Sequence, residues 1–129
     1  AQEGDINKAI NEIKNGKKIT HWMWYMFPQL EGLGSSIISQ YYSIKNKEEA
    51  IKYINHPVLR DNLIRLAKTL LELDEDNLVT VIGPKDTIKL QSCMTLFYTV
   101  APDCEIFKQV LDKFYNSEMD ENTLKMLND

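Results

Sequence analysis

The sequence predicts an all-α fold, a small single-domain bundle of about six to seven helices over residues 1–129. Three observations carry this. Leu59, Leu63, Leu66, Leu70 and Leu73 recur at the three- and four-residue spacing of one helix face, the strongest amphipathic signal in the chain. Breaks at Gly16, Pro28, Pro57, Gly83-Pro84 and Pro102 cut the rest into helix-sized pieces. Leu78 to Ile82 has strand propensity, but a single five-residue strand has no evident partner for its backbone, so a short helical turn ended by Gly83-Pro84 is expected there.

In chain order, Asp5 is the expected N-cap of a first helix carrying Ile6, Ala9, Ile10 and Ile13, with Gly16 as its stop. Lys14, Lys17 and Lys18 gather at its end, where cations complement the helix dipole. Ile19 to Phe27 shows neither clean period and fits a short buried strand or an irregular helix entering the core, with helix or loop preferred. Pro28 turns the chain, Gly32 and Gly34 loosen it, and a new helix begins near Ser35, with Tyr41 and Tyr42 in its first turns. Asn46 caps the next helix, striped by Ala50, Ile51 and Ile54 and broken by His56-Pro57. The leucine-striped segment follows as the main core helix, with Arg60, Arg65 and Lys68 in water. Asp74 to Asn77 is a polar connection. Asp86 is the expected cap of a helix carrying Ile88, Leu90, Met94, Phe97 and Ala101, and Asp103 caps one carrying Ile106, Phe107, Val110, Leu111 and Phe114. A last short helix holds Leu124 and Leu127.

Composition narrows the function. At 129 residues, with 43% hydrophobic and 26% charged side chains, the chain has the make-up of one ordinary globular domain. Its net charge of −4 opposes the basic footprint that nucleic-acid binding requires. Cys93 and Cys104 make no disulfide framework, which favours a reducing, cytoplasmic setting. No apolar run approaches the roughly 18 to 20 residues needed to span a bilayer, so no membrane association is expected. The two histidines and two cysteines lack the short ligand spacing of a zinc site, and no cofactor motif is met.

The most unusual stretch is His21 to Ser36, which holds both tryptophans and ends in glycines and serines. His21-Trp22-Met23-Trp24, Phe27-Pro28-Gln29, Gly32-Leu33-Gly34-x-Ser36, His56-Pro57-Val58-Leu59 and Lys89-Leu90-x-Ser92-Cys93-Met94-Thr95-Leu96-Phe97 together resemble the family called domain of unknown function 1810 over nearly the whole chain. The resemblance implies a small, mainly helical, single-domain protein and implies no biochemistry. Two positions depart from it: Gln91 stands where relatives often carry a basic residue, and Asn62 where they often carry arginine.

The residues themselves suggest a ligand site. Gly32 and Gly34 permit close backbone approach, and Ser35 and Ser36 open a helix whose first N–H groups are unpaired, which suits an anion such as phosphate. Lys18 and His21 are near enough in sequence to add charge. Trp22 and Trp24 offer faces on which a base can stack, and Gln29 can read a base edge or satisfy backbone. Lys89 and Ser92 lie on a later helix that can join the same pocket, while Asp86 and Lys89, three apart, also make an ordinary surface pair. His21 is the one proton-exchanging group of the block and the candidate catalytic residue. A lone histidine beside tryptophan is more often structural, and Cys93 reads as a buried, inert thiol.

The reading that uses most of these residues is a binding domain for a phosphorylated, base-containing small molecule, of the kind derived from NAD or ADP-ribose. A hydrolase acting on such a nucleotide through His21, and a protein-interaction module presenting the aromatic block, are the alternatives. Substituting Ser36→Glu places a carboxylate at the expected anion site. Nucleotide affinity measured by titration calorimetry is expected to fall while the circular dichroism spectrum is unchanged; undiminished affinity would remove the phosphate contact from that helix start.

Overall fold

The computed structural model describes residues 2–16, 26–29, 43–73 and 78–128. Within them are seven helices and no β-strand, as the sequence pattern requires.

Helix α1 spans Gln2–Lys14 and buries Ile6, Ala9, Ile10 and Ile13. It stops at Gly16, whose φ of +78° suits glycine and whose N–H donates to the Ile13 carbonyl at 2.9 Å. Asp5 is not its cap. The helix begins three residues earlier, because backbone hydrogen bonding runs ahead of the apolar stripe that made Ile6 look like the start.

Helix α2, Lys47–Asn55, is capped as expected: the Asn46 side chain accepts from the Glu49 N–H at 2.9 Å. Ala50 and Ile54, four apart, are buried, but Ile51 is 37% exposed because it lies about 100° round the helix from Ala50. His56 then serves two helices. Its N–H donates to the Tyr53 carbonyl at 3.1 Å, and its Nδ1 accepts from the Leu59 N–H at 3.4 Å. With Pro57 next, where a missing N–H costs nothing, the chain leaves α2 and enters α3, Pro57–Leu71, in one step.

Helix α3 buries Leu63, Leu66, Ala67 and Leu70, and it leaves Arg60, Arg65 and Lys68 in water. Its C-terminal carbonyls are met from elsewhere in the chain: Lys113 Nζ donates to the Leu71 carbonyl at 3.0 Å and also to that of Leu73. A cation at this end complements the helix dipole. Leu78–Ile82 is a helical turn, α4, with Leu78, Val81 and Ile82 buried at three- and four-residue spacing.

Helix α5, Pro84–Val100, starts at Gly83 and Pro84, so Asp86 is inside its first turn and is not its cap. Ile88 does not join the core either, being 64% exposed in the first half of the helix. Farther along, every residue from Ser92 to Phe97 is buried. That leaves the stretch Ser92–Phe97 no solvent face, and α5 packs against α2, α4, the helix α6 (Glu105–Phe114) and the helix α7 (Glu121–Asn128). Helix α3 packs against α1, α2 and α6. The leucine-rich α3 is therefore one of two core helices, and α5 is the more enclosed.

Three rings join the two halves. Phe97 of α5, with no exposed surface, lies 5.2 Å from Tyr53 of α2 and 6.1 Å from Phe107 of α6. Such pairs contribute about 0.5–1.5 kcal/mol each beyond area burial. The N-cap of α6 is Cys104, one residue later than Asp103, and no side chain bonds there. Helix α7 is capped by Asp120, whose carboxylate accepts from the Thr123 N–H at 3.0 Å and its hydroxyl at 2.6 Å. The Asp120 N–H in turn donates to the buried Thr95 hydroxyl at 2.8 Å. Among the described residues, no helix is long and apolar enough to cross a membrane.

Gly83 has φ +87° and ψ 162°, a region open essentially to glycine alone, and a Cβ there would meet nothing within 4 Å. The strain of Gly83→Ala is thus conformational and not steric. It is expected to lower stability by about 1–3 kcal/mol in urea unfolding with an unchanged slope; a midpoint equal to that of the parent would contradict this backbone geometry.

Candidate functional site

Of the residues singled out in the sequence, Lys18, His21, Trp22, Trp24, Gly34, Ser35 and Ser36 lie outside the described residues, as do the helix expected from Ser35 and the connection at 74–77. Gln29, Lys89 and Ser92 lie within them.

Gln29 ends a described strip, Met26 to Gln29, all of it buried. Met26 is 1% and Phe27 2% exposed, so the strip is anchored by its apolar side chains. The Gln29 carbonyl accepts from the N–H of Ile44 at 2.8 Å, and Ile44 is itself 3% exposed. This bond holds Gln29 and Ile44, fifteen residues apart in the sequence, side by side at the backbone. Gln29 is only 7% exposed, yet no described residue hydrogen-bonds its side-chain amide.

On α5, Lys89 Nζ lies 3.5 Å from Asp86 Oδ1, and the two side chains are only 18% and 15% exposed. The expected surface pair is therefore largely withdrawn from water. Ser92, one turn on, is 4% exposed and donates its hydroxyl to the Ile88 carbonyl at 3.3 Å. Lys89 and Ser92 thus come together on adjacent turns of α5. No hydrogen bond among the described residues joins Gln29 to either of them.

The profile of the family described as "Protein of unknown function (DUF1810)" matches residues 1–127. The chain belongs to this family. Among solved structures, it is similar to the conserved hypothetical protein Rv1873 from Mycobacterium tuberculosis, with a TM-score of 0.95 at 34% identity, covering 99% of this chain and 91% of that one. No curated protein matches this chain.

Both departures from the DUF1810 pattern have a structural place. The Gln91 side chain donates to the Glu118 carbonyl at 3.0 Å, on the side of α5 that faces the approach to α7. It borders an open groove of about 700 Å³ lined also by Met119, Asp120, Glu121 and Leu124, which no sequence feature announced. Asn62 is 8% exposed, on the buried side of α3.

Cys93 has no exposed surface, and burial pushes its thiol well above the usual range, which agrees with an inert core residue. Cys104 is half-exposed and accepts from Arg60 Nη2 at 3.0 Å. Forty-four residues separate these partners, so the contact left no sequence signal. No cluster of three or more histidine, cysteine or carboxylate groups among the described residues is arranged to hold a metal. With Cys93 sealed, a thiol reagent such as Ellman's is expected to label Cys104 of the native protein quickly and Cys93 only on unfolding. Two fast equivalents would contradict the enclosure of α5.

Proposed function

We propose that this DUF1810 protein is a binding domain for a phosphorylated, base-containing small molecule, with a nucleotide derived from NAD or ADP-ribose as the leading class. The observation that carries this reading is the Gln29 carboxamide, which follows the aromatic block in the sequence, is buried and has no hydrogen-bond partner among the described residues. Buried polar groups are nearly always satisfied, and one that is not is a natural place for a ligand's own donors and acceptors.

The remaining contacts follow from the sequence. Trp22 or Trp24 supplies the stacking face, the Gly34 to Ser36 segment with Lys18 and His21 supplies the anion site, and Lys89 and Ser92 on α5 complete the polar lining. A bound ligand stabilises the native state by mass action. Thermal-shift scanning with NAD and ADP-ribose, and mass spectrometry of small molecules released on heat denaturation, are expected to identify a nucleotide recovered intact. A His21→Ala variant is expected to keep most of the affinity. Conversion of the added nucleotide to product, abolished in that variant with the ligand still bound, would instead make the protein a hydrolase.

A further inference from the structure

Helix α2 ends at Asn55 and α3 starts at Pro57, so His56 alone joins them. Its backbone is extended, with φ −76° and ψ 120°, and it closes both helices. The His56 N–H donates to the Tyr53 carbonyl at 3.1 Å, and its carbonyl accepts from the Arg60 N–H at 2.9 Å. Any residue could make those two bonds. The third belongs to the side chain: ring Nδ1 accepts from the Leu59 N–H at 3.4 Å. It differs in kind from the usual cap, because a serine or asparagine oxygen accepts at every pH near neutral, whereas an imidazole nitrogen accepts only while it carries no proton.

The start of α3 has little else to hold it. Pro57 brings no N–H, and the first turn contains no acidic residue to offset the positive end of the helix dipole. A proton on Nδ1 would set two N–H groups against each other and add a cation at that same end. His56 is exposed, so the proton can reach it from water. The titratable and charged groups around the joint are Lys52 and Tyr53 on α2, Arg60 and Asp61 on α3, and Asp103, Cys104 and Glu105 at the start of α6, which meets α3 through the Arg60 contact to Cys104 Sγ. Among the described residues, none of these is hydrogen-bonded or ion-paired to the ring, so no carboxylate holds it charged.

We infer that His56 is a pH-sensitive cap: neutral, it fastens the joint between α2 and α3, and protonated, it releases the first turn of α3. This does not rest on what the protein binds. The neutral ring is the one that suits the fold, so its stabilisation is whole at the upper end of the range between pH 8 and 5, where histidine changes charge, and is lost as the pH falls through it. The released turn carries Arg60, so the loosening extends to the contact with Cys104.

The test is urea unfolding of the full chain at pH 7.5 and pH 5.5 in the parent, His56→Asn and His56→Ala. Asparagine caps at both pH values and alanine at neither, and comparing the proteins at one pH cancels the titration of every other group, His21 included. At pH 7.5 the parent is expected to match His56→Asn within about twofold in unfolding constant and to be about fivefold more stable than His56→Ala, the usual effect of one cap. At pH 5.5 it is expected to fall about fivefold below His56→Asn and to come level with His56→Ala or drop beneath it, since alanine adds no cation to the helix start. Nitrogen NMR of the parent at pH 7.5 is expected to show the ring proton of His56 on Nε2, with the signal assigned by its loss in the variants.

Parallel pH profiles for the parent and His56→Asn overturn the inference. So does a neutral ring carrying its proton on Nδ1, which could not accept from Leu59. Should His56→Asn fail to fold, the advantage of the parent over His56→Ala decides: it must shrink by about fivefold between pH 7.5 and pH 5.5, and an advantage that stays constant overturns the switch.

Discussion

The enclosure of α5 is the constraint on which the rest of the structure depends. Six successive buried residues, Ser92 to Phe97, leave that stretch no face for water, so its neighbours must supply every contact that solvent would have made. Helices α2, α4, α6 and α7 do so, and α3 then packs on α2 and α6 from outside. Polar side chains survive in this interior because they bond to their own helix. The buried hydroxyls of Ser92 and Thr95 each donate to the carbonyl four residues back. Phe97 sits at the centre of the arrangement, between rings from α2 and α6.

Much of this fold was legible in the sequence where one local rule decided the outcome. The leucine spacing of α3 announces a helix buried on one side and wet on the other, and α3 is that helix. The strand-like Leu78 to Ile82 was correctly read as helical because a lone strand leaves its backbone unsatisfied, an accounting that outranks propensity. Asn46 and His56 behave as their residue types require. Where two local rules competed, the sequence misled. Asp86 is a good N-cap by type, but Gly83-Pro84 starts the helix sooner, and Asp103 loses to Cys104 in the same way. Enclosure itself is invisible to periodicity, because a helix covered all round has no stripe, and the more enclosed α5 was ranked below α3.

The candidate site was legible as a place and not as a geometry. Gln29 drew notice through its position after the aromatic block, but neither its burial nor its lack of a described partner follows from its neighbours in sequence. The backbone bond from the Ile44 N–H, fifteen residues later, to the Gln29 carbonyl is likewise a product of the tertiary fold. Lys89 and Asp86 were expected to pair, and they do; that they pair with little exposure is a consequence of the bundle around α5. Long-range contacts such as Arg60 with Cys104 and Gln91 with Glu118 belong to the tertiary fold alone.

The Thr95 hydroxyl links two segments that are far apart in the order of synthesis. It donates to the Gln91 carbonyl within α5 at once, but the N–H it accepts from belongs to Asp120, twenty-five residues later. Helix α7, which packs against α5, follows Asp120 directly. On the ribosome, α2, α3 and α4 are therefore available while α5 still lacks part of its cover, and the half-finished chain carries an apolar helix with one side open. The residues from Asp120 onward are the ones that shut it, so until they have been made the chain carries its most enclosed helix partly uncovered.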